Sequence, residues 1–445
     1  MNLKYSLLAA ITAMLFTYFP AAAQTNGSNT PYSRFGMGLQ SDQSQGFNRS
    51  MGGVAQGLRD GARVNKQNPA SYSATDSLTF IFDIGMGLQR SLMTQGDNRQ
   101  SANNTSLDYI NTLFRLWPKL GMSIGFVPYS TIGYTFSQER SVVTDPLSYE
   151  AVTQNLTYYG DGGLHEIYMG VGWSPFKNFS FGVNIGYLWG NINNTLSQTF
   201  SENGVLNTNY YSSLTTKYTA KLRTWKSEVG LQLQLPLNRD NELTIGATVG
   251  IGHKIPSDAN MLRTSLSGDT ISRTTDHAFQ LPMTYSAGVA WKHKKILTVA
   301  ADFAFEQWAN CVTPQVVNNV NSANGTDYIA AKGAYSNRFR LNGGAEYVPD
   351  RYSRSYLKRI NYRAGLYYAS PNLIINGLTG PREFGLTAGL GLPISNGWNH
   401  GPYVNIGVQW THRGASSAEL ITENVLRINI GLTFNESWFM KWRFK

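Results

Sequence analysis

The 445-residue chain has a single cysteine, Cys311, so no disulfide within the chain can staple its fold. Charged residues make up only 14%, against about 25% in typical soluble proteins. After the first 23 residues no apolar run approaches the roughly 20 residues that a spanning helix needs, and mean hydropathy is slightly negative. No Pro-rich or Ser-rich hinge, long charge run or composition shift after residue 77 marks a second domain. Gly-x-Ser-x-Gly and phosphate-binding P-loop motifs are both missing. His165, His253, His277, His293, His400 and His412 lack the spacing of metal ligands. Asp276 and His277 are adjacent, so on a strand they would face opposite ways; a loop is the better reading. An enzyme, a metal and a cofactor are therefore not expected.

The net charge is +10. The positive residues are scattered, with modest clusters at Arg351, Arg354, Lys358 and Arg359 and at Lys441, Arg443 and Lys445. There is no basic helix and no nucleic-acid module, so no nucleic-acid partner is expected. Basic loop ends beside anionic lipid headgroups account for the charge.

Three features stand out among what is present. Lys4, an apolar core from Leu7 to Phe19 and Ala21-Ala22-Ala23 read as a cleavable export signal over residues 1–23, with Gln24 first in the mature chain. Glycine (44 residues) and aromatics (13%) are plentiful. From Leu78 onward, large apolar residues recur at every second position: Leu78, Phe80, Phe82, Ile84, Met86 and Leu88. The same period returns at Phe179–Trp189, Leu243–Ile251 and Leu426–Phe434, and in shorter form in nine other places.

Period two gives a strand one apolar and one polar or tiny face. Runs of 9 to 12 residues suit a tilted crossing of a bilayer better than a soluble sandwich, whose strands average about 5 or 6. Trp173, Trp189, Trp291, Trp308, Trp410, Trp438 and Trp442 lie near run ends, as in the aromatic girdles of outer-membrane barrels. The expected fold is therefore all-β: a transmembrane antiparallel β-barrel of about 14 strands over residues 78–445. Its closing strand is Leu426–Phe434 or the aromatic tail ending at Phe444, a tail suited to the barrel-assembly machinery. Asp83, Glu228, Asp302, Glu306, Arg340, Glu346, Arg363 and Arg427 fall in the inward register.

Residues 24–77 lack the alternation. They are rich in glycine, yet Tyr32, Phe35, Met37, Leu39, Phe47, Met51, Val54 and Leu58 need burial. A barrel of this size is too wide for its own side chains to fill. An N-terminal plug in the lumen meets both needs, with a short helix or turn expected over Arg49–Arg59.

Ser50-Met51-Gly52-Gly53-Val54-Ala55, then Asp60-Gly61-Ala62, then Asn68-Pro69-Ala70 just before the first strand, resembles the hatch of the FadL family. "NTPYSRFGMG" near the mature start looks like members from Bacteroidota. The resemblance implies an outer-membrane transporter of long-chain fatty acids or other hydrophobic compounds, working by passive, hatch-gated diffusion among outer-membrane lipids. Its hatch residues would be Ser50, Gly52, Gly53, Asn68, Pro69 and Ala70. In that family a kinked strand opens the wall sideways; Pro128 and Gly133 are candidates for the kink. A plain hairpin turn at Pro128-Tyr129-Ser130 is the simpler reading of the same residues. The alternative function is a FadL-like barrel serving as scaffold or shuttle in a protein secretion system.

Overall fold

The computed structural model describes residues 29–77, 79–143, 151–202, 205–206, 213–294, 296–318, 326–394, 401–414, 417 and 419–436. The expected export signal, Leu78, Trp438, Trp442 and the tail to Phe444 lie outside the described residues.

Fourteen strands form the wall. The first seven are β1 (Phe80–Gln95), β2 (Asn98–Trp117), β3 (Leu120–Val143), β4 (Ala151–Trp173), β5 (Phe179–Glu202), β6 (Leu214–Pro236) and β7 (Asn241–Gly250). The second seven are β8 (Thr284–His293), β9 (Leu297–Glu306), β10 (Arg338–Tyr347), β11 (Asn361–Ala369), β12 (Arg382–Pro393), β13 (Tyr403–Gly414) and β14 (Thr422–Glu436). Each pairs antiparallel with the next, and β1 pairs with β14 from Phe80/Glu436 to Thr94/Thr422. That last pairing closes the ring, which is the condition for strands to cross lipid without unsatisfied backbone. The strand number matches the expectation of 14, and Leu426–Phe434 lies in the closing strand.

The pleat sorts the side chains as the alternation requires. On β1, Phe82, Ile84, Met86 and Leu88 face outward, while Ile81, Asp83, Gly85 and Gly87 face inward and are buried. Outward Ile185 is 62% exposed on β5 and Leu426 49% on β14, an apolar surface that only lipid would cover. Two- to five-residue connections at 118–119, 174–178, 237–240 and 294–296 define a turn end; the longer segments 251–283 and 307–337 define a loop end.

β3 to β6 run far beyond membrane length. At the loop end they carry an added hairpin, Ala259–Ser265 with Thr270–Thr275, whose first strand pairs with β6. The inner faces of these extensions pack on the long loops around Tyr134, Leu188, Leu222, Phe279 and Trp308. Trp308 thus departs from the girdle expected for it: a 3-10 turn, Trp308–Asn310, buries it against Tyr335. Trp173 and Trp410 stay on the outer surface near strand ends.

The N-terminal residues touch every side of the ring. Arg49 bonds Asp108 on β2, Lys66 bonds Glu166 on β4, and Arg59 bonds Ser180 on β5. Ala55 bonds Asp302 on β9, Arg63 bonds Glu346 on β10, and Thr30 bonds Glu423 on β14. Partners all round a closed ring put these residues inside it. Their regular structure is slight: a helical turn at Gly46–Arg49 and a 3-10 helix at Pro69–Ala74. Of the short helix or turn expected over Arg49–Arg59, the helix reaches only Arg49, and beyond it Gly52 and Gly53 turn the chain at φ +71° and +81°.

Candidate functional site

Residues 50–53 and 68–70 occupy opposite sides of the lumen. A side chain at Gly52 would need a left-handed backbone, and its Cβ would lie 2.5 Å from the Leu366 carbonyl oxygen of β11. Ser50 sits over Gly389 of β12 and Gly407 of β13, where an added Cβ would come within 2.3 and 2.5 Å of its Oγ. Across the lumen, Pro69 lies on Gly172, Gly182 and Gly230 of β4, β5 and β6. Asn68 joins this group by hydrogen bonds. Its side-chain oxygen accepts from Ala70 N at 3.1 Å, and its amide donates to Gln56 O at 2.9 Å and to Leu231 O of β6 at 3.2 Å. Pro69 then opens the 3-10 helix, where its missing N–H costs nothing. Under Ser50, Gly52 and Pro69 the wall is therefore largely glycine.

Charge pairing completes the fit. Asp302 accepts from Ala55 N and Gln56 N at 2.5 and 3.0 Å, and Glu346 takes Arg63 at 2.8 Å and Arg363 at 2.7 Å. Lys66 and Glu166 meet at 3.0 Å, both nearly fully buried. Arg427 joins Arg49 on Asp108. Burial alone would raise the Asp42 carboxyl, but Arg49 and Arg340 outweigh it and hold the group down to about 2. Asp60 is likewise held far below the ordinary carboxylate range, against burial, by Arg63 and Lys292.

The wall is incomplete at one place. β2 and β3 pair only from Trp117/Leu120 to Ile110/Phe126. Beyond that β2 pairs only with β1, and β3 only with β4 within the wall. The hairpin turn at Pro128–Ser130 does not form: β3 runs through these residues, with a register shift against β4 between Pro128 and Ser130. Proline suits this position because its missing N–H falls on the edge that has lost its neighbour. Opposite the shift, Gly162 and Gly163 take φ of +117° and +131°.

Inner residues occupy the vacated edge of β3. Leu39 and Gln40 pair with Thr131 and Ser130 as a short strand. Gly133 N donates to Ser33 Oγ at 3.1 Å, and Gln43 Nε2 donates to Pro128 O at 2.8 Å. On the other lip, Asn29 donates to Asn104 of β2 at 2.6 Å. Residues 29–43 thus stretch from one lip of the gap to the other.

A cavity of about 850 Å³ lies against this segment. Arg340, Glu383, Arg413 and Arg427 line it on one side. On the other it reaches Leu107 of β2 and Phe126, Pro128, His165 and Trp189, whose side chains cluster on the outer surface beside the gap. It therefore runs from the charged inner wall to the outside of the barrel. Among the described residues no cluster of metal-ligating side chains occurs.

A model of the BamG family matches residues 5–445. The chain belongs to the BamG family. No curated protein sequence matches it. Among solved structures this BamG-family chain is similar to the Pseudomonas putida toluene transporter TodX: TM-score 0.58, 14% identity, 89% of this chain and 99% of that one. A Pseudomonas aeruginosa FadL homologue gives 0.59 at 11% identity over 90% and 99%. The Ralstonia pickettii toluene transporter TbuX gives 0.56 at 13% over 89% and 98%. At such identities the likeness is one of fold.

Several site residues of this BamG-family barrel were not singled out by sequence reasoning: Arg49, Arg63, Lys66, Asp108 and Glu166. Of the inward charges that were, Asp302 and Glu346 bond the inner segment directly. Arg427 and Arg363 act through Asp108 and Glu346, and Arg340 and Glu306 line the cavity.

Proposed function

We propose that this barrel passes hydrophobic small molecules across the bacterial outer membrane, with the loop end outside and the turn end in the periplasm. Residues 24–77 act as its hatch. The gap between β2 and β3, with Pro128 and Gly133 on its β3 lip, is its lateral exit. The observation that carries this reading is the cavity reaching from the inner wall to outward-facing Phe126, His165 and Trp189 where the two strands stop pairing. A lipophilic molecule leaving there meets acyl chains without crossing water, and the process needs no cofactor and no chemistry. The similar structures, toluene transporters and a FadL homologue, support the same substrate class. Long-chain fatty acids are the first substrate to test, since Arg340 on the cavity wall offers a carboxylate a partner.

Deletion of residues 24–70, with uptake of a fatty acid and of a small sugar measured in a host lacking its own transporters, tests the reading. Loss of controlled fatty-acid uptake with a new sugar leak is the expected result. Unchanged fluxes of both would sink it.

A second reading keeps the barrel and changes the cargo. The family name BamG, with its hint of barrel-assembly machinery, and the polar inner wall favour a scaffold or shuttle role in handling proteins. A stable complex with other envelope proteins, together with no fatty-acid flux, would select it.

A further inference from the structure

At the turn end the connection between β10 and β11, residues 348–360, is longer than the others, which run from two residues at 118–119 to nine at 394–402. Asp350 is its single acid, against Arg351, Arg354, Lys358 and Arg359. The connection has a defined shape. Asp350 N donates to Lys358 O at 2.9 Å, Tyr352 N donates to the Asp350 carboxylate at 2.9 Å, and Tyr356–Arg359 make one helical turn. Val348 and Ile360 at its two ends are buried, yet the apolar side chains between them point out: Tyr352 is 74% exposed, Leu357 66% and Tyr356 45%. Arg354 and Lys358 are exposed beside them.

The placement of the helical turn decides what these groups face. Tyr362 stands on the outward register of β11 with Ala364 and Leu366, and pairs across strands with outward Tyr347 of β10. The Tyr362 hydroxyl donates to Leu357 O at 3.1 Å. An outward-facing tyrosine thus holds the helical turn at the barrel's perimeter, while Arg351 at the start of the connection reaches inward. At that depth apolar and aromatic groups enter the headgroup boundary while long basic side chains reach phosphates. Arg351 lies 3.9 Å from Glu346, and Arg359 packs over the Tyr356 ring at 5.4 Å. Arg354 and Lys358 are the cations best placed to turn outward.

We propose that residues 351–359 form an interfacial site for the phosphate headgroups of anionic phospholipids in the leaflet at the turn end. Arg354 and Lys358 contact the phosphates, and Tyr352, Tyr356 and Leu357 seat the loop in the boundary. An acidic protein is the rival partner for the same charge. The perimeter position held by Tyr362 favours lipid, because a protein docking below the barrel would not need the apolar residues turned toward the bilayer edge.

The test uses the full-length barrel released from nanodiscs of equal phosphatidylglycerol and phosphatidylcholine, with retained lipids counted by native mass spectrometry. Wild type should keep phosphatidylglycerol preferentially. The double variant Arg354→Gln/Lys358→Gln should lose about 25-fold of that preference, two basic residues each contributing roughly fivefold near an anionic surface. A second variant, Tyr352→Ser/Leu357→Ser, should retain less of both lipids with the headgroup preference intact. Heat-dependent gel mobility reports that each variant is folded. Equal retention of the two lipids by wild type, or an unchanged preference in the double variant, overturns the proposal. Displacement of phosphatidylglycerol by excess polyglutamate would give the surface to an acidic protein instead.

Discussion

β5 and β6 pair without interruption from Phe179/Leu233 to Gln198/Leu214, while β2 and β3 part company after Ile110/Phe126. Both seams belong to one ring, and both have inner residues packed against them. At the first seam Pro69 rests on wall glycines and every strand bond is kept. At the second, residues 33–43 replace a strand partner that the wall does not supply. The inner segment is thus a filler in one place and a substitute wall in the other. On the proposed function, only the substitute has to be displaced for cargo to leave sideways.

Locking the substitute is expected to give the largest effect. Cysteines at Gln40 and Ser130, which face each other in register, with Cys311→Ser to remove the native thiol, should tie the segment to β3. Hydrophobic flux should fall at least tenfold when oxidised and return with reductant. The matched pair at Asn191 and Lys221 across the β5/β6 seam should change flux little. Equal loss from both pairs would erase the distinction between the seams.

The next effect is steric. A Cβ at Gly182 would lie 2.4 Å from the Pro69 carbonyl carbon, whereas one at Gly343 meets nothing within 4 Å. Gly182→Ala should destabilise the folded barrel by about 1–3 kcal/mol, as overpacking does, with Gly343→Ala near neutral by denaturant titration. Similar midpoints for the two would mean that the segment yields easily.

How much of this was readable beforehand depends on whether a feature is local. Period two at Phe80–Leu88 or Phe179–Trp189 needs only neighbours in sequence, so the wall, its closure and its inward charges could be read. Around Pro128 the pattern fails because Tyr129, Ser130, Ile132, Gly133 and Tyr134 are all buried, covered on one side by the inner segment. A proline amid such residues reads as a turn. Arg49 and Asp108 lie 59 residues apart, and Lys66 and Glu166 lie 100 apart; nothing in either stretch announces its partner. Trp308 was misplaced because its loop builds a core of its own.

Asp302→Asn is a milder probe of the filler region. It keeps the shape but removes the charge that receives Ala55 N and Gln56 N, at a cost of about 1–2 kcal/mol. Faster proteolysis near residue 55, with flux through the gap unchanged, is the expected pattern.

Acid should act last and least. Asp42 is held down to about 2, so its contribution is fully present above the unfolded carboxylate pKa of about 3.9. It is lost as pH falls through 2. Pepsin should therefore leave residues 29–43 uncut at pH 4 and cut them near pH 2. Cleavage already at pH 4 would show that Arg49 and Arg340 do not hold the segment.

The closed pairing of β1 with β14 also sets an order of events in biogenesis. Residues 29–77 are bonded to strands on every side of that ring. β1 is the first wall strand in the chain and β14 the last, so the seam joining residues 80–94 to 422–436 can close only once every wall strand between them has been made.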